Sequence, residues 1–170
     1  MKKPIIVLVF LFILSTLIAC QADINVEKEE ATKRANEIFT GDKINPNNNI
    51  GEVSLYLPAG MEVESSDDTN VVLKNGSNYY LLFLNSKEEQ NSKVMYESTL
   101  KTANNVIVKE TFEDDKRLGF IIVQEVNQEE DQYEVTVGIG GTKLTTETNV
   151  SNLAHEAEQM MKILNSIVEH

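Results

Sequence analysis

An Asn-Gly pair at residues 75–76 constrains the fold of this chain more than any other local feature. The pair stands between two largely apolar segments, residues 71–74 and 79–84. Asn-Gly accepts the positive φ angles of a tight hairpin turn, so the two segments are expected to pair as antiparallel strands. The second segment is apolar at every position, which predicts a central strand that is covered on both faces.

Alternation of apolar and polar residues predicts further strands on both sides of this hairpin. Residues 52–57 alternate and end at Pro58-Ala59-Gly60, which predicts a strand with one buried face. After the hairpin, acidic turns separate three apolar segments, which predicts a meander. Gly140-Gly141 is expected to turn the chain into a last strand around Leu144. The meander strands are predicted at residues 106–112, 118–126 and 133–139.

The segment before the first strand has helical periodicity. Asn25 is expected to cap this helix and Gly41 to end it, with acidic residues in the first turn. Its apolar stripe either packs on the domain or grips a partner helix. Residues 42–49 are rich in Pro and Asn, which is typical of a turn-rich connector. The members of the stripe are Ala31, Ala35, Ile38 and Phe39.

The end of the chain has the clearest helical period. Its apolar residues keep a 3.6-residue spacing over four turns, and Ser151 or Asn152 is expected to cap the helix. The Met160-Met161 pair predicts flexible core filling, with a hydrophobic ligand groove as the alternative. Residues 86–103 have a weaker pattern, which fits a short helix or a long loop. The stripe of the last helix consists of Leu153, Ala157, Met160, Met161, Leu164 and Val168.

The order of these elements predicts the α+β class. Runs of strands between helices favour a central antiparallel β-sheet with helices packed on both faces over alternating βαβ units. Residues 50–170 are expected to form a single domain, because a chain of this length builds one core but rarely two.

Two short motifs at opposite ends of this domain resemble those of the PsbP/Mog1/DcrB-like domains. The first is Leu57-Pro58-Ala59-Gly60-Met61, where a strand enters a turn, and the second is the helical tail at residues 161–167. Met61 departs from the pattern, since an aromatic residue is more usual there. The resemblance implies an antiparallel sheet with helices on both faces. It also implies a binding or assembly role rather than an enzymatic one.

The first 20 residues have the composition of an export signal. Lys2 and Lys3 precede ten consecutive apolar residues, 5–14, whereas a spanning helix needs about 20. Leu17-Ile18-Ala19-Cys20 resembles the lipobox of bacterial lipoproteins. This resemblance implies a signal peptide at residues 1–19, a diacylglycerol lipid on the Cys20 thiol, and a lipidated N-terminus, helix and linker at residues 20–49. An uncleaved anchor or a free thiol at Cys20 is the alternative.

Charge and cysteine content exclude several classes of partner and site. Thirteen Lys and Arg against 27 Asp and Glu give residues 20–170 a formal charge of −14. Phosphate backbones and anionic head groups repel such a surface, so nucleic-acid binding is disfavoured. Attachment to the extracytoplasmic side of the cell membrane is therefore expected through the two acyl chains on Cys20. Since Cys20 is the only cysteine, the domain has no disulfide, thiol redox chemistry or Cys-based metal site.

No motif identifies a catalytic, cofactor or metal site. His155 and His170 are the only histidines, which is too few for a His-rich metal site and unconvincing for a serine triad. Residues 138–143 look like a phosphate loop but lack its spacer before Gly-Lys, so a turn is predicted. The acidic turns at residues 113–115 and 129–131 lack the spacing of an EF-hand, which favours solvated charges over Ca²⁺ ligands.

Two functional hypotheses follow. The first is a non-enzymatic binding or assembly factor, anchored at the membrane, that binds a protein or cell-envelope component through one face of its sheet or a helix groove. The second is a small metal-dependent or carboxylate-based hydrolase of the cell envelope. A pocket lined by converging carboxylates would favour the hydrolase.

Overall fold

The computed structural model describes residues 22–170, which form helices and antiparallel strands and so confirm the predicted α+β class. The helices are α1 (Ile24–Thr40), α2 (Val94–Thr102) and α3 (Leu153–Asn165), the last preceded by a 3₁₀ turn (Val150–Asn152). The strands are β1 (Asn48–Ile50), β2 (Val53–Leu55), β3 (Met61–Ser66), β4 (Asn70–Asn75), β5 (Asn78–Phe83), β6 (Val106–Glu113), β7 (Leu118–Asn127), β8 (Gln132–Ile139), β9 (Thr142–Thr148) and β10 (Val168–Glu169).

Seven strands form one antiparallel sheet in the order β3-β4-β5-β9-β8-β7-β6. The predicted hairpin is confirmed as β4 and β5, in which Lys74 pairs with Tyr79. Gly76 in its turn has a φ of +61°, a conformation that glycine adopts without steric cost. The meander of β6, β7 and β8 is also confirmed, and β9 continues it to meet β5.

Helices α1 and α3 pack against each other and against one face of this sheet. The predicted stripe of α1 is buried at Ala31, Ala35 and Phe39. The predicted cap is wrong, because Asp23 rather than Asn25 precedes the helix and its carboxylate accepts the Asn25 N–H at 2.8 Å. The helix starts earlier because Ile24, its first residue, already packs against the core.

Helix α3 ends at Asn165, so the prediction that Val168 belongs to its apolar stripe is wrong. Val168 is exposed and pairs with Ser54 as part of β10. The physical reason is Ser166, whose hydroxyl donates to the Ile163 carbonyl and accepts the Tyr56 N–H at 2.8 Å. This side chain satisfies backbone groups at the helix end and lets the chain turn into a strand.

Strand β2 forms a small second sheet with β1 and β10, in which β2 is the middle strand. The prediction that only one face of this segment is buried is wrong, because Val53, Ser54 and Leu55 are all buried. The side chains of Asn49 and His170 close over Ser54 through hydrogen bonds. A polar residue is thus buried where the alternation predicted exposure.

Arg117, the residue just before β7, connects the sheet to both long helices. Its guanidinium donates to the Phe39 carbonyl at 2.8 Å and to the Asn165 side-chain oxygen at 2.6 Å. It also lies 4.7 Å from the centre of the Phe39 ring and pairs with Asp114. A cation at the C-terminus of α1 interacts favourably with the helix dipole and with its free carbonyls.

The side chains of β7 divide alternately between two apolar clusters. Ile121 and Val123 belong to the main core with α1 and α3. Phe120 and Ile122 belong to a smaller cluster with Met95 of α2. The helix predicted within residues 86–103 is confirmed as α2, which occupies the second half of that segment.

Strand β5 lies inside the sheet as predicted, but the prediction that both of its faces are covered is wrong. Tyr80 and Leu82 are 2% and 0% exposed, whereas Tyr79 and Leu81 are 53% and 49% exposed. The reason is that the small cluster around α2 reaches β5 only at Phe83. The side of the sheet that carries Tyr79 and Leu81 is called the open face below.

Candidate binding surface on the open face of the sheet

A concave groove of about 630 Å³ crosses the open face over strands β5, β9 and β8. It is open to solvent along its length, and we call it the open-face groove. Tyr79 and Leu81 give it an exposed apolar side, and Thr145 lies on its floor. Val72 and Tyr80 also line it. The remaining lining residues are polar or charged: Ser77, Asn78, Glu130, Asp131, Gln132, Glu134, Thr146, Glu147, Thr148 and Asn149.

Two carboxylates face one another across the groove floor. Glu134 of β8 is the direct cross-strand partner of Glu147 of β9. Each accepts one hydrogen bond from an amide, Glu134 from Gln124 at 2.6 Å and Glu147 from Gln132 at 3.3 Å. Like charges directly opposite each other destabilise a sheet. The arrangement thus leaves negative charge on this face that its own strands do not neutralise.

The groove continues into a smaller cavity of about 220 Å³ beside α2. The two cavities share Leu81, Glu134 and Thr145 in their linings. Lys143 lines only the smaller cavity, and its ammonium lies 3.3 Å from the Thr99 hydroxyl of α2. A bound chain could therefore extend from the carboxylates toward the helix.

Lys74 shows how the open face interacts with a cation. Its ammonium lies 5.5 Å from the centre of the Tyr79 ring, within the range of a cation–π interaction. It also pairs with Glu64 at 3.8 Å, and this carboxylate is the main cause that raises the pKa of Lys74. The exposed ring of Tyr79 therefore already has an ammonium beside it.

The groove rests on a buried polar pair. The Tyr80 hydroxyl donates to the Glu156 carboxylate of α3 at 2.9 Å, and both side chains are buried. Burial and then the nearby carboxylate raise the pKa of Tyr80 far above its usual range. The phenol consequently stays protonated as a donor, and it fixes β5 to α3 beneath the groove.

Ser54 and His170 form the contact that most resembles catalytic chemistry. The Ser54 Oγ lies 2.6 Å from His170 Nε2 and 2.5 Å from the Asn49 side-chain oxygen. A nucleophilic serine gives its proton to the histidine, but here Asn49 accepts that proton, so His170 must donate to Ser54 instead. The contact closes the small sheet and does not activate a nucleophile.

The other residues considered from sequence lie apart from one another. His155 is exposed on α3. In the turn at residues 113–115, Asp114 accepts the N–H groups of Lys116 and Arg117, and these bonds lower its pKa. Residues 138–143 form the predicted turn between β8 and β9, where Gly140 and Gly141 allow the loop at residues 85–90 to pack closely. Cys20 lies outside the described residues.

Metal and membrane features are limited in the part of the chain that the structure describes. No group of three or more His, Cys, Asp or Glu side chains among residues 22–170 is arranged to hold a metal ion. No helix in this range has the length and apolar character needed to cross a membrane. Neither the protein-family models nor the curated proteins compared with this chain gave a match.

The pattern of the sequence did not reveal the groove carboxylates as a pair. Alternation places Glu134 on the polar side of its strand, whereas the last strand is predicted only around Leu144, without bounds that include Glu147. The useful signal was Gly140-Gly141. A two-residue turn there sets Ile139 opposite Thr142, and counting back along both strands brings the two glutamates together.

Proposed function

We propose that this chain is a membrane-anchored, extracytoplasmic lipoprotein that acts as a non-enzymatic binding or assembly factor for a protein or another cell-envelope component. The observation that carries the binding role is the open-face groove, where exposed Tyr79 and Leu81 lie beside polar and charged side chains. Exposed aromatic and apolar side chains that a polar rim surrounds are typical of interaction surfaces. The anchor rests on the motif that ends at Cys20.

The proposed anchor would place the groove close to the membrane. Only three residues separate Cys20 from the first residue of α1, so the tether reaches at most about 15 Å. The start of α1 adjoins that of α3, since Glu27 accepts the Ala154 N–H at 3.4 Å. Asp131, which lines the groove, accepts the Val150 N–H at 3.4 Å in the turn just before α3. The partner would therefore bind close to the membrane surface.

Photo-cross-linking in membranes tests the binding role. A photoreactive residue replaces Leu81 in the groove or, as a control, Glu37 on the exposed side of α1. We expect a discrete adduct from position 81, none from position 37, and loss of the adduct in a Cys20→Ser chain. Equal labelling at both positions, or no adduct at position 81, would contradict the proposal.

Labelling with a fatty-acid analogue tests the anchor separately. We expect the label on the full chain and not on Cys20→Ser, which should also be released from membranes. Unchanged labelling and membrane retention of Cys20→Ser would show that Cys20 is not the attachment site.

The carboxylates of the groove keep a carboxylate-based hydrolase as a second candidate. Glu134 and Glu147 are direct cross-strand partners on β8 and β9, so their side chains leave the same face of the sheet side by side. A hydrolase of this kind would use one carboxylate as the general acid and the other as the base or nucleophile. Release of reducing ends from cell-wall glycan by the full chain, abolished by Glu134→Gln, would establish the hydrolase instead.

We also propose the layering of the PsbP/Mog1/DcrB-like domains, with helices on both faces of the sheet. The support is the division of β7 between two clusters, the main core with α1 and α3 and the smaller one with Met95 of α2. Hydrogen exchange tests it. Amides of Phe120 and Ile122 should exchange faster when Met95→Ser loosens α2, and unchanged exchange would mean that α2 does not cover them.

A further inference from the structure

We propose that the open-face groove binds an extended, lysine- or arginine-bearing segment of a protein partner. This inference rests on the proposed binding function and adds the chemistry of the partner. Its starting point is charge, because four carboxylates line the groove and no Lys or Arg among residues 22–170 does. The four carboxylates are Glu130, Asp131, Glu134 and Glu147.

The pair Glu134 and Glu147 provides the strongest part of the argument. No ammonium or guanidinium of residues 22–170 lies within ion-pair distance of either carboxylate. Each carboxylate accepts a single side-chain hydrogen bond from an amide, although it has about four acceptor positions. A cation placed between them would relieve their repulsion and donate charge-assisted hydrogen bonds to both. The groove is thus complementary to a positively charged side chain.

The apolar side of the groove indicates that the cation belongs to a peptide. In an extended segment, successive side chains point to opposite sides, so residues i and i+2 face the same surface. One such residue would place a basic group over the glutamates, and the next would place its side chain over Leu81. The Tyr79 ring, which has the Lys74 ammonium 5.5 Å from its centre, is suited to contact the basic side chain as well.

The shape of the groove argues against a small ligand. Sites for small molecules usually bury 70–90% or more of the ligand surface, whereas this groove is open across three strands and continues into the cavity beside α2. Within residues 22–170, no arrangement of side chains suited to a metal ion accompanies the carboxylates. A long occupant that crosses the strands fits this shape.

The test uses the full chain in non-ionic detergent and a fluorescein-labelled nonapeptide in which Lys and Val alternate at the odd positions and Ser occupies the even positions, so that Lys and Val face the same side of the extended peptide. The comparison peptide has every Lys acetylated, which removes the charge and keeps the length. Two double variants carry the same change in net charge. Glu134→Gln/Glu147→Gln alters the groove, and Glu29→Gln/Glu37→Gln alters exposed residues of α1, which packs against the other face of the sheet.

We expect the Lys peptide to bind and the acetylated peptide to bind at least about tenfold more weakly. The groove variant should lose about tenfold in affinity for the Lys peptide, and the α1 variant less than about twofold, because the peptide would contact the groove glutamates directly whereas salt screens the more distant α1 glutamates. Equal losses in both variants would mean that only net charge attracts the peptide, and equal binding of both peptides would mean that charge is not recognised. Either result would overturn the inference.

The photo-cross-linking result at position 81 separates this inference from the proposed function. A partner cross-linked at position 81, together with no binding of the Lys peptide, would reject the basic segment and leave the binding role intact. Absence of any adduct at position 81 would reject the binding role itself. A groove variant that unfolds at the same or a higher denaturant concentration than the natural chain would show that the lost affinity does not come from lost folding.

Discussion

The two sides of strand β5 differ in environment although they carry the same residue types. Tyr80 and Leu82 pack in the core, while Tyr79 and Leu81, one position earlier in each case, are about half exposed. The core side contacts α3 through Glu156, whereas on the open side Tyr79 lies beside the Lys74 ammonium and Leu81 pairs with Thr145 of the neighbouring strand. The comparison teaches that residue type sets how much surface can be buried, whereas tertiary partners decide whether burial occurs.

The largest expected effect separates the two leucines. Leu82→Ala removes a fully buried side chain and leaves a cavity, so the free energy of unfolding should fall by about 2–5 kcal/mol. Leu81→Ala removes a half-exposed side chain and should cost less than about 1 kcal/mol. Urea unfolding of the full chain and both variants measures the difference, and similar losses for the two variants would show that the open face is covered.

A second prediction separates the two tyrosines. Tyr80→Phe leaves the buried Glu156 carboxylate without its hydroxyl donor, which should lower the free energy of unfolding by about 1–3 kcal/mol. Tyr79→Phe should change it by less than about 0.5 kcal/mol, because the Tyr79 side chain is exposed. The same urea measurements at pH 7 apply, and an unchanged midpoint for Tyr80→Phe would mean that the Tyr80–Glu156 bond does not form.

The pH dependence of stability should reveal the buried hydroxyl of Tyr80. Since burial and Glu156 raise the pKa of Tyr80, the folded chain keeps a proton that the unfolded chain loses above about pH 10. The unfolded state then binds fewer protons than the native state, so the free energy of unfolding falls as pH rises from 9.5 to 11.5 by up to ~1.4 kcal/mol per pH unit.

The Tyr80→Phe chain serves as the control for this titration. It lacks the phenol, so its stability should fall less steeply over the same pH range. Some decline will remain, because burial also raises the pKa of Tyr133. Parallel curves for the natural chain and Tyr80→Phe would mean that Tyr80 does not resist ionisation in the folded state.

Local chemistry explains which elements could be predicted from the sequence. The hairpin followed from Asn75-Gly76, since the turn conformation and the flanking apolar residues agree. The meander followed from period and turn residues in the same way. The first helix was placed correctly, but Asp23 and Asn25 are both good caps, and packing of Ile24 decided between them. Val168 continued the helical period, yet the Ser166 hydroxyl ends the helix before it.

Long-range pairing explains what was missed. The apolar run in β5 has the same appearance whether a helix covers one side or both, so exposure of Tyr79 and Leu81 was not predictable from it. The groove depends on the register of β8 and β9, which joins Glu134 to Glu147 over a sequence separation of thirteen. From the sequence we expect a binding surface on one face of the sheet or in a helix groove, without the residues that form it.

The smallest predicted effect is an increase in the free energy of unfolding. It tests whether the charges of the open face destabilise the fold while serving a binding role. Replacing both glutamates in Glu134→Gln/Glu147→Gln removes a like-charge pair, so the free energy of unfolding should rise by about 0.5 kcal/mol at low salt. The gain should shrink in 1 M NaCl, where charges beyond about 3 Å are screened. Glu29→Gln/Glu37→Gln, with the same change in net charge, should gain less at low salt. A groove variant that is less stable than the natural chain would mean that the two glutamates stabilise the sheet through their hydrogen bonds with the amide side chains. The carboxylate pair would then have a structural role and would not be a surface kept for a cationic partner.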